Sequence, residues 1–215
     1  YDLVTESGKR YPFLQKLDFT LATYAKNKPK IDGILEKNEW DMNICMYADS
    51  ADQVRRMDDW GGPSDISGRS TVMWDEEYFY MFAEVTDDIH NNIQGASRNW
   101  DGDSMQFGIF YGSEDFVAIG QASTTYTEIG LALSSITNKA TAYRYMSHNN
   151  YYPPSEITSE DAEFAITRTG NKTCYEFKMR WDKLLTPNDK PKEGDVLGYS
   201  FLFNESDEGV RSGWI

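Results

Sequence analysis

Segments in which apolar and polar residues alternate recur along most of this chain. In TCYEFKMRW, residues 173–181, the apolar side chains from Tyr175 to Trp181 fall on one face and the charged side chains between them fall on the other. A period of two residues is typical of a β-strand that is buried on one face only, as in antiparallel sheets. Eight further segments have a similar pattern and are rich in Tyr, Phe, Val, Ile and Thr: residues 19–25, 70–74, 77–87, 103–110, 127–133, 140–146, 162–169 and 196–204.

Helical periodicity is weak by comparison. Residues 34–40 and 181–185 can each form a turn or two, but no segment sustains a helical period. A series of short strands without a substantial helix predicts one all-β domain, an antiparallel β-sandwich of jelly-roll-like shape over residues 19–215. Residues 1–18 follow no such pattern and are expected to form an irregular lead-in.

Composition narrows the choice of partners. The chain has 215 residues, of which 40% are hydrophobic and 14% aromatic, so a folded core is expected. The formal net charge of −14 repels phosphates, which argues against nucleic acid and anionic membranes as partners. There is no apolar run of about 18 residues, so no membrane insertion is expected. The opening, YDLVTESGKRYPF, is charged and contains proline, unlike a signal peptide.

Cysteine and histidine are too scarce to suggest a metal or triad motif. Cys45 and Cys174 lie far apart in strand-like segments, so two buried thiols are expected, with a single disulfide as the alternative. His90 and His148 have no neighbours that would complete a catalytic triad, and the chain has no G-x-S-x-G motif. Serine hydrolase chemistry therefore has no support.

A tryptophan stands at the entrance to one of the clearest strands, in WDGDSMQFGIF, residues 100–110. In this strand Met105 and Phe107 alternate with Gln106, so Gln106 is expected on the face opposite the core. Trp100 lies in a polar loop where no periodic pattern demands burial. Its flat indole ring can stack on the C–H face of a pyranose, while nearby polar groups fix the hydroxyls. The alternative is a hydrophobic plug over the rim of the sandwich.

Six motifs occur in an order that resembles a known family. They are KIDGILEKNEW (30–40), RSTVMWDEEYFYMFAEVTDD (69–88), NWDGDSMQFGIF (99–110), YTEIGLAL (126–133), RWDKLLTP (180–187) and GDVLGYSFLFNESDEGVRSGW (194–214). Together they resemble family 9 carbohydrate-binding modules from Lys30 to Ile215. The resemblance implies a β-sandwich that binds an oligo- or polysaccharide without cleaving it. It also implies structural calcium and an attached catalytic domain in a secreted or cell-surface bacterial protein, such as a xylanase that acts on plant cell walls.

The resemblance also implies a ligand site. Trp100 matches one half of an aromatic clamp around the sugar, and Gln106 matches a polar contact on the following strand. Asp103 is expected to bond sugar hydroxyls beside them. Glu128 is expected to be the next polar member of the site, at a position where well-studied relatives carry a basic residue. The second clamp tryptophan would lie beyond Ile215, so the module is expected either to lack its last segment or to build its site differently.

Other aromatic residues are not assigned to this site. Trp214 precedes the position of the second clamp residue and is not assigned to it. Tyr151 and Tyr152 can form a second sugar platform or pack on the edge of a sheet, and the second interpretation is preferred. Trp60, in a glycine-rich loop, is not assigned to the site. In the first motif, Trp40 is expected to fill the core.

Acidic residues at the end of a predicted strand suggest a metal site. Asp87 and Asp88 close the strand at 77–87, and loop carboxylates with nearby carbonyl groups suit calcium. Within the resemblance they are assigned to a structural calcium ion. The alternative is a solvated strand end.

Three other functions remain open at the level of sequence. A glycosidase would use two carboxylates about 5–10 Å apart, and no feature of the sequence singles out such a pair. A haem-binding sandwich domain could draw axial ligands from the eight methionines. A structural or interaction module would have no sugar site. The preferred prediction is a binding module that is not an enzyme.

Overall fold

The computed structural model describes residues 20–111 and 126–215, together with the backbone of two short strands near the N-terminus. These two strands, Asp2–Val4 and Arg10–Pro12, pair antiparallel within the segment that was predicted to be irregular. The rest of residues 1–18 lies outside the described part of the chain. Of the strand predicted at 19–25, the described residues form only Thr23–Tyr24.

The other predicted strands are present with bounds shifted by a few residues. In chain order the strands are β1 Asp2–Val4, β2 Arg10–Pro12, β3 Thr23–Tyr24, β4 Met46–Ala48, β5 Ile66–Trp74, β6 Tyr78–Asp87, β7 Ser104–Tyr111, β8 Tyr126–Leu133, β9 Ala140–Met146, β10 Ser155–Glu156, β11 Ala162–Thr169, β12 Lys172–Arg180, β13 Leu197–Glu205 and β14 Gly213–Trp214.

Helical structure is as short as the sequence indicates. The predicted turn at 181–185 is one α-helical turn, α1, at Trp181–Leu184. Residues 34–40 form turns and bends rather than a helix. Three 3-10 segments lie at Met42–Ile44, Ala96–Asp101 and His148–Asn150. No helix among the described residues has the length and apolar character of a membrane span.

Two sheets pack face to face, which confirms the all-β sandwich. Sheet I has the strand order β10-β9-β8-β7-β13-β14, and sheet II has the order β11-β12-β6-β5-β3, with β4 also paired to β5. Their described pairs are antiparallel except for β3 with β5, which is parallel. Strands distant in sequence, such as β7 and β13, therefore become neighbours.

The main core lies between the two sheets. On β7, Met105, Phe107 and Ile109 are at most 1% exposed and point inward, as their alternation predicts. The ring of Phe107 meets that of Phe177 on β12 at a centroid distance of 5.2 Å. Burying a side chain of this size stabilises the fold by about 1.5–3 kcal/mol.

A second, smaller core covers the outer face of sheet II. Trp40 is 4% exposed and packs with Tyr80 and Phe82 of β6. Trp40 is thus buried as expected, but against the outside of sheet II rather than in the main core. Strand β6 is consequently buried on both faces, because Phe79 and Met81 point into the main core.

The charged face of β12 was expected to meet solvent, but Glu176 on this face does not. Its side chain is fully buried under the segment that carries Trp40. The carboxylate accepts the backbone N–H groups of Asp32 and Gly33 at 2.8 and 2.7 Å and the indole N–H of Trp40 at 3.0 Å. Gly33 makes the expected turn with a φ of +78°. The burial of Glu176 is therefore stabilised by three N–H donors.

Both cysteines are free and half-buried. The two free thiols are confirmed and the disulfide alternative is not, but neither thiol is fully buried as expected.

Candidate functional site

The outer face of sheet I forms an open cleft of about 450 Å³. Strands β7, β8 and β13 build its floor, because alternate residues of these strands point away from the core. We call it the outer cleft and define it by its outward-facing lining residues: Gln106, Gly108, Phe110, Tyr126, Glu128, Gly198, Ser200 and Leu202. The glycine and serine residues have no side chain or a small one, so the middle of the floor is flat. Phe110 on β7 and Tyr126 on β8 each place an aromatic ring beside it.

A row of hydrogen bonds crosses this face. Gln106 donates its amide N–H to Glu128 Oε1 at 2.8 Å and accepts from Asn204 at 3.0 Å. Asn204 in turn accepts from the guanidinium of Arg211 at 2.9 Å. Leu202 of β13 lies directly opposite Gln106 of β7. Asn204 is two residues further along β13 on the same face, so it is diagonally adjacent to Gln106. The predicted ligand residues Gln106 and Glu128 are therefore in contact.

Trp100 lies at the far end of this row. The guanidinium carbon of Arg211 is 4.9 Å from the Trp100 ring centre and 4.7 Å from that of Trp214. Stacking of a guanidinium on indole rings is a cation–π contact. Trp100 is therefore connected to the outer cleft by a chain of contacts through Arg211, Asn204 and Gln106. Its side chain is half-buried rather than fully exposed.

The 3-10 segment that carries Trp100 is fixed to sheet I. Asn99, fully buried, donates to the carbonyl of Gly130 on β8 at 3.0 Å and accepts from the Tyr145 hydroxyl. A Cβ on Gly130 would lie 2.5 Å from the Asn99 side-chain oxygen, so the close approach requires glycine. Asn92 donates to the carbonyl of Asn99 at 2.8 Å. The loop that the sequence marks only as polar is thus held in place from both sides.

Asp103 does not lie with Gln106 and Glu128 on the outer cleft. It is 3% exposed and lies with Asp87, which is 2% exposed. Ligand atoms of Asp87, His90 and Asp103 lie within 4.8 Å of one another. The backbone N–H of Ser206 bonds the Asp103 carboxylate, which brings the end of β13 with Glu205 to the same place. We call Asp87, His90, Asp103 and Glu205 the buried acidic cluster.

The buried acidic cluster has more acceptors than donors. Burial, followed by the charge of Asp87, raises the pKa of Asp103 to about 8. Burial, followed by the charges of Asp103 and Asp87, raises the pKa of Glu205 to about 10. Arg168 bonds Asp87 at 3.1 Å and is the one Arg or Lys of the described residues paired with the cluster. Like charges held together in a dry site disfavour ionisation.

Several polar atoms of this cluster are buried without a hydrogen-bond partner in the described part of the chain. They are Asp87 Oδ1, Asp103 Oδ1, His90 Nδ1 and both carboxylate oxygens of Glu205. The neighbour of Glu205 is a second acid, Asp207, which in its ionised form has no hydrogen to donate. His90 Nε2 lies 2.9 Å from the carbonyl oxygen of Leu133 and so acts as the donor there. Its Nδ1 lies 3.7 and 3.6 Å from the carboxylates of Asp87 and Asp103. Buried oxygen atoms without donors suit a divalent cation.

Asp87 and Asp88 lie in different groups. Asp88 is exposed and lies with Asp65 and Asp207, whose carboxylate oxygens come within 4.8 Å of one another. Asp87 is the last residue of β6, whereas Asp88 lies in the bend that follows the strand.

The remaining aromatic candidates lie elsewhere. Tyr152 packs against sheet I as preferred, with the guanidinium of Arg144 on β9 4.9 Å from its ring centre, and its hydroxyl donates to the carbonyl of Asp182 on α1 at 2.6 Å. Tyr151 is 53% exposed and meets Tyr152 edge-on. Trp60 donates its indole N–H to the carbonyl of Ile66 at 3.0 Å and packs on the main core.

Sequence reasoning missed Asn204, Glu205 and Arg211. One signal existed for Glu205: it ends a strand in FLFNESDEG, as Asp87 ends β6. Acidic strand ends at the same edge of a sandwich can meet. No local pattern marks Arg211, whose role depends on the two rings that surround it.

The chain matches a known protein family. The family described as "Carbohydrate family 9 binding domain-like" matches residues 31–215. The chain is 26% identical over 154 residues to endo-1,4-beta-xylanase A of Thermoanaerobacterium saccharolyticum, which covers 71% of this chain and 11% of that protein. The chain thus spans about a tenth of the length of this relative.

Solved structures share the fold. A family 9 carbohydrate-binding module from Caldicellulosiruptor kristjanssonii in complex with glucose has a TM-score of 0.58 and 17% identity, over 90% of this chain and 82% of that one. A complex with cellotriose from the same organism has a TM-score of 0.57 and 18% identity, over 91% and 83%. The family match covers nearly the range of the six motifs, and this chain belongs to carbohydrate-binding family 9.

Proposed function

We propose that this chain is a non-catalytic module that binds a sugar unit in the outer cleft. The observation that supports this is the contrast between the two outer sheet faces. A second core covers sheet II, whereas the outer cleft lies open on sheet I. An open cleft with rings at its margin and a few fixed polar groups is typical of small-ligand sites.

The polar groups of the cleft suit binding better than cleavage. Glu128 is the one carboxylate among the described lining residues. A glycosidase generally uses two carboxylates across the scissile bond. We therefore expect no release of reducing sugar from xylan or cellulose above that of a boiled control.

The ligand class follows from the relatives. The similar structures hold glucose and cellotriose, and the curated relative is a xylanase. We propose a β-linked plant cell-wall glycan, such as cellulose or xylan, and an attached catalytic domain in a secreted or cell-surface bacterial protein.

The buried acidic cluster is the proposed site of a structural calcium ion. The unpartnered oxygens of Asp87, Asp103 and Glu205 fit a cation that prefers oxygen ligands. A bound cation would offset their mutual repulsion and join the ends of β6 and β13 to the start of β7. This replaces the predicted pair Asp87 and Asp88 with a larger set that excludes Asp88.

The sugar site can be tested by calorimetry with cellotriose. Gly108→Val would narrow the cleft floor, because a Cβ at Gly108 already comes within 3.0 Å of the Ser200 hydroxyl. We expect at least a tenfold loss of affinity for Gly108→Val. Tyr151→Ala, which removes an exposed ring outside the cleft, serves as the control and should bind normally. Equal binding by Gly108→Val and the unmodified protein would place the ligand elsewhere.

A further inference from the structure

Glu128 is the group in the outer cleft with the most unused hydrogen-bonding capacity. Its carboxylate accepts from Gln106 at 2.8 Å and, weakly, from the Tyr126 hydroxyl at 3.5 Å. An ionised carboxylate can accept about four hydrogen bonds. Because Glu128 is only half-buried and lines the cleft, a ligand can supply the missing donors.

This carboxylate has no counter-ion among the described residues. Its two hydrogen-bond donors, Gln106 and Tyr126, are uncharged. Arg211, the cation in the polar row, bonds Asn204 and is stacked between Trp100 and Trp214. The connection between β7 and β8, residues 112–125, contains no Lys, Arg or His in its sequence and does contain Glu114 and Asp115.

Because the carboxylate of Glu128 has no counter-ion among the described residues, its contribution to affinity depends on the charge of the ligand. An ammonium group on the ligand would form a charge-assisted hydrogen bond, which is stronger than the bond from a neutral hydroxyl. A carboxylate on the ligand would be repelled at short range and would leave Glu128 unpaired. The net charge of −14 adds a longer-range field of the same sign.

We infer that Glu128 makes the outer cleft selective for sugars that carry a free ammonium group, namely oligomers of a 2-amino-2-deoxyhexose, over neutral glucans, and makes it reject uronic acids. This inference rests on the proposed function, because it concerns the same cleft. Neutral sugars remain ligands, since their hydroxyls can also donate to Glu128.

Calorimetry with three trisaccharides tests the inference: fully deacetylated chitotriose, cellotriose and trigalacturonate, near pH 6 and at low salt. We expect chitotriose to bind about tenfold or more tightly than cellotriose, the range of a charge-assisted hydrogen bond. Trigalacturonate should show no binding. In Glu128→Gln, which keeps a similar shape, the preference for chitotriose should disappear.

One control variant separates the cleft from general electrostatics, and a salt titration tests whether the preference is electrostatic. Glu163→Gln removes an exposed charge on sheet II, where Glu163 pairs with Lys178, and should keep the preference. In the unmodified protein, raising the salt concentration should reduce the preference, because salt screens exposed charges. This measurement needs no variant to fold.

The outcomes distinguish this inference from the proposed function. Cellotriose binding without a preference for chitotriose would contradict the charge selectivity alone. A preference that survives in a folded Glu128→Gln variant would also contradict it. If none of the three sugars binds, both the inference and the proposed function are wrong.

Discussion

Arg211 determines how much of the Trp100 ring a sugar can reach. Its guanidinium is 4.9 Å from the ring centre, so one face of the indole is already in contact with protein. A cation–π contact of this kind contributes about 0.5–2 kcal/mol. The ring is half-buried, and we propose that a pyranose stacks on its exposed part.

We expect Trp100→Ala to lose at least ~2 kcal/mol of sugar binding, as for a central aromatic contact. Its stability loss should stay below the ~3–5 kcal/mol of a fully buried aromatic deletion, because the ring is half-buried. Calorimetry and thermal unfolding measure the two effects. Tyr151→Ala, which removes an exposed ring outside the cleft, is the control and should keep binding. Unfolding of Trp100→Ala would favour the rim-plug interpretation.

The charge on Glu128 gives ligand preference a pH dependence. Burial raises the pKa of Glu128, while hydrogen bonds from Tyr126 and Gln106 lower it in part. Tyr126 and Tyr145, the titratable neighbours, have pKa values raised by burial and stay neutral in acid. Glu128 is therefore protonated at a higher pH than an ordinary glutamate, whose pKa is about 4.3.

We expect the preference for deacetylated chitotriose over cellotriose to be lost as pH falls through the raised pKa of Glu128. It should return as pH rises, for as long as the sugar amine stays protonated. The ratio of the two dissociation constants, measured by calorimetry from about pH 4 to 7, tests this. The ratio should be flat in Glu128→Gln. A flat ratio in the unmodified protein would show that Glu128 does not control the preference.

At the scale of elements, the segment that carries Trp40 acts as a cover for sheet II. It is joined to β12 through the buried carboxylate of Glu176, which accepts three N–H donors. The glutamate looks solvent-facing in the alternating pattern of β12. Its burial explains how a segment with little regular structure stays attached to a sheet.

We expect Glu176→Gln to lower the free energy of unfolding by about 1–3 kcal/mol, because the amide leaves at least one buried N–H donor unpaired. Urea unfolding followed by tryptophan fluorescence measures the change. Glu163→Gln on the adjacent strand β11 is the matched control. Its carboxylate is 61% exposed and pairs with Lys178, so the loss should be within the ~0–1 kcal/mol of a surface ion pair. Equal losses in both variants would contradict the anchoring role of Glu176.

At the scale of the molecule, three buried acidic residues lie together at one edge of the sandwich, each at or next to the end of a strand. Asp87 ends β6, Asp103 precedes β7 and Glu205 ends β13. Without a cation, burial and mutual repulsion hold the pKa values of Asp103 and Glu205 far above their ordinary range. The cluster therefore destabilises the fold at neutral pH unless a cation or protons offset it.

We expect calcium at about 100 times its dissociation constant to stabilise the protein by about 2.7 kcal/mol relative to chelated protein. Asp103→Asn should raise the melting temperature of the chelated protein and reduce the calcium-induced shift. Both effects follow from removing one buried charge and one ligand. Glu193→Gln, which removes an exposed charge, should leave the shift unchanged. A melting temperature that does not respond to exhaustive chelation would contradict the calcium site.

The amino-acid sequence by itself determined the class of fold and the two faces of strand β7. A two-residue period maps directly onto the two faces of a strand, so Met105 and Phe107 could be assigned to the core and Gln106 to the opposite face. The ordered motifs likewise predicted the family, which the match over residues 31–215 confirms. These features depend on local pattern and chain order alone.

The tertiary structure alone decided which distant polar residues meet. Pairing of β7 with β13 brings Asn204 to Gln106, and through Asn204 it brings Arg211. The same pairing carries Glu205 to Asp103, which the sequence had assigned to the sugar. The second core decided that Glu176 is buried. Local periodicity gives the face on which a side chain lies, but the covering of that face depends on the register and packing of segments far apart in the chain.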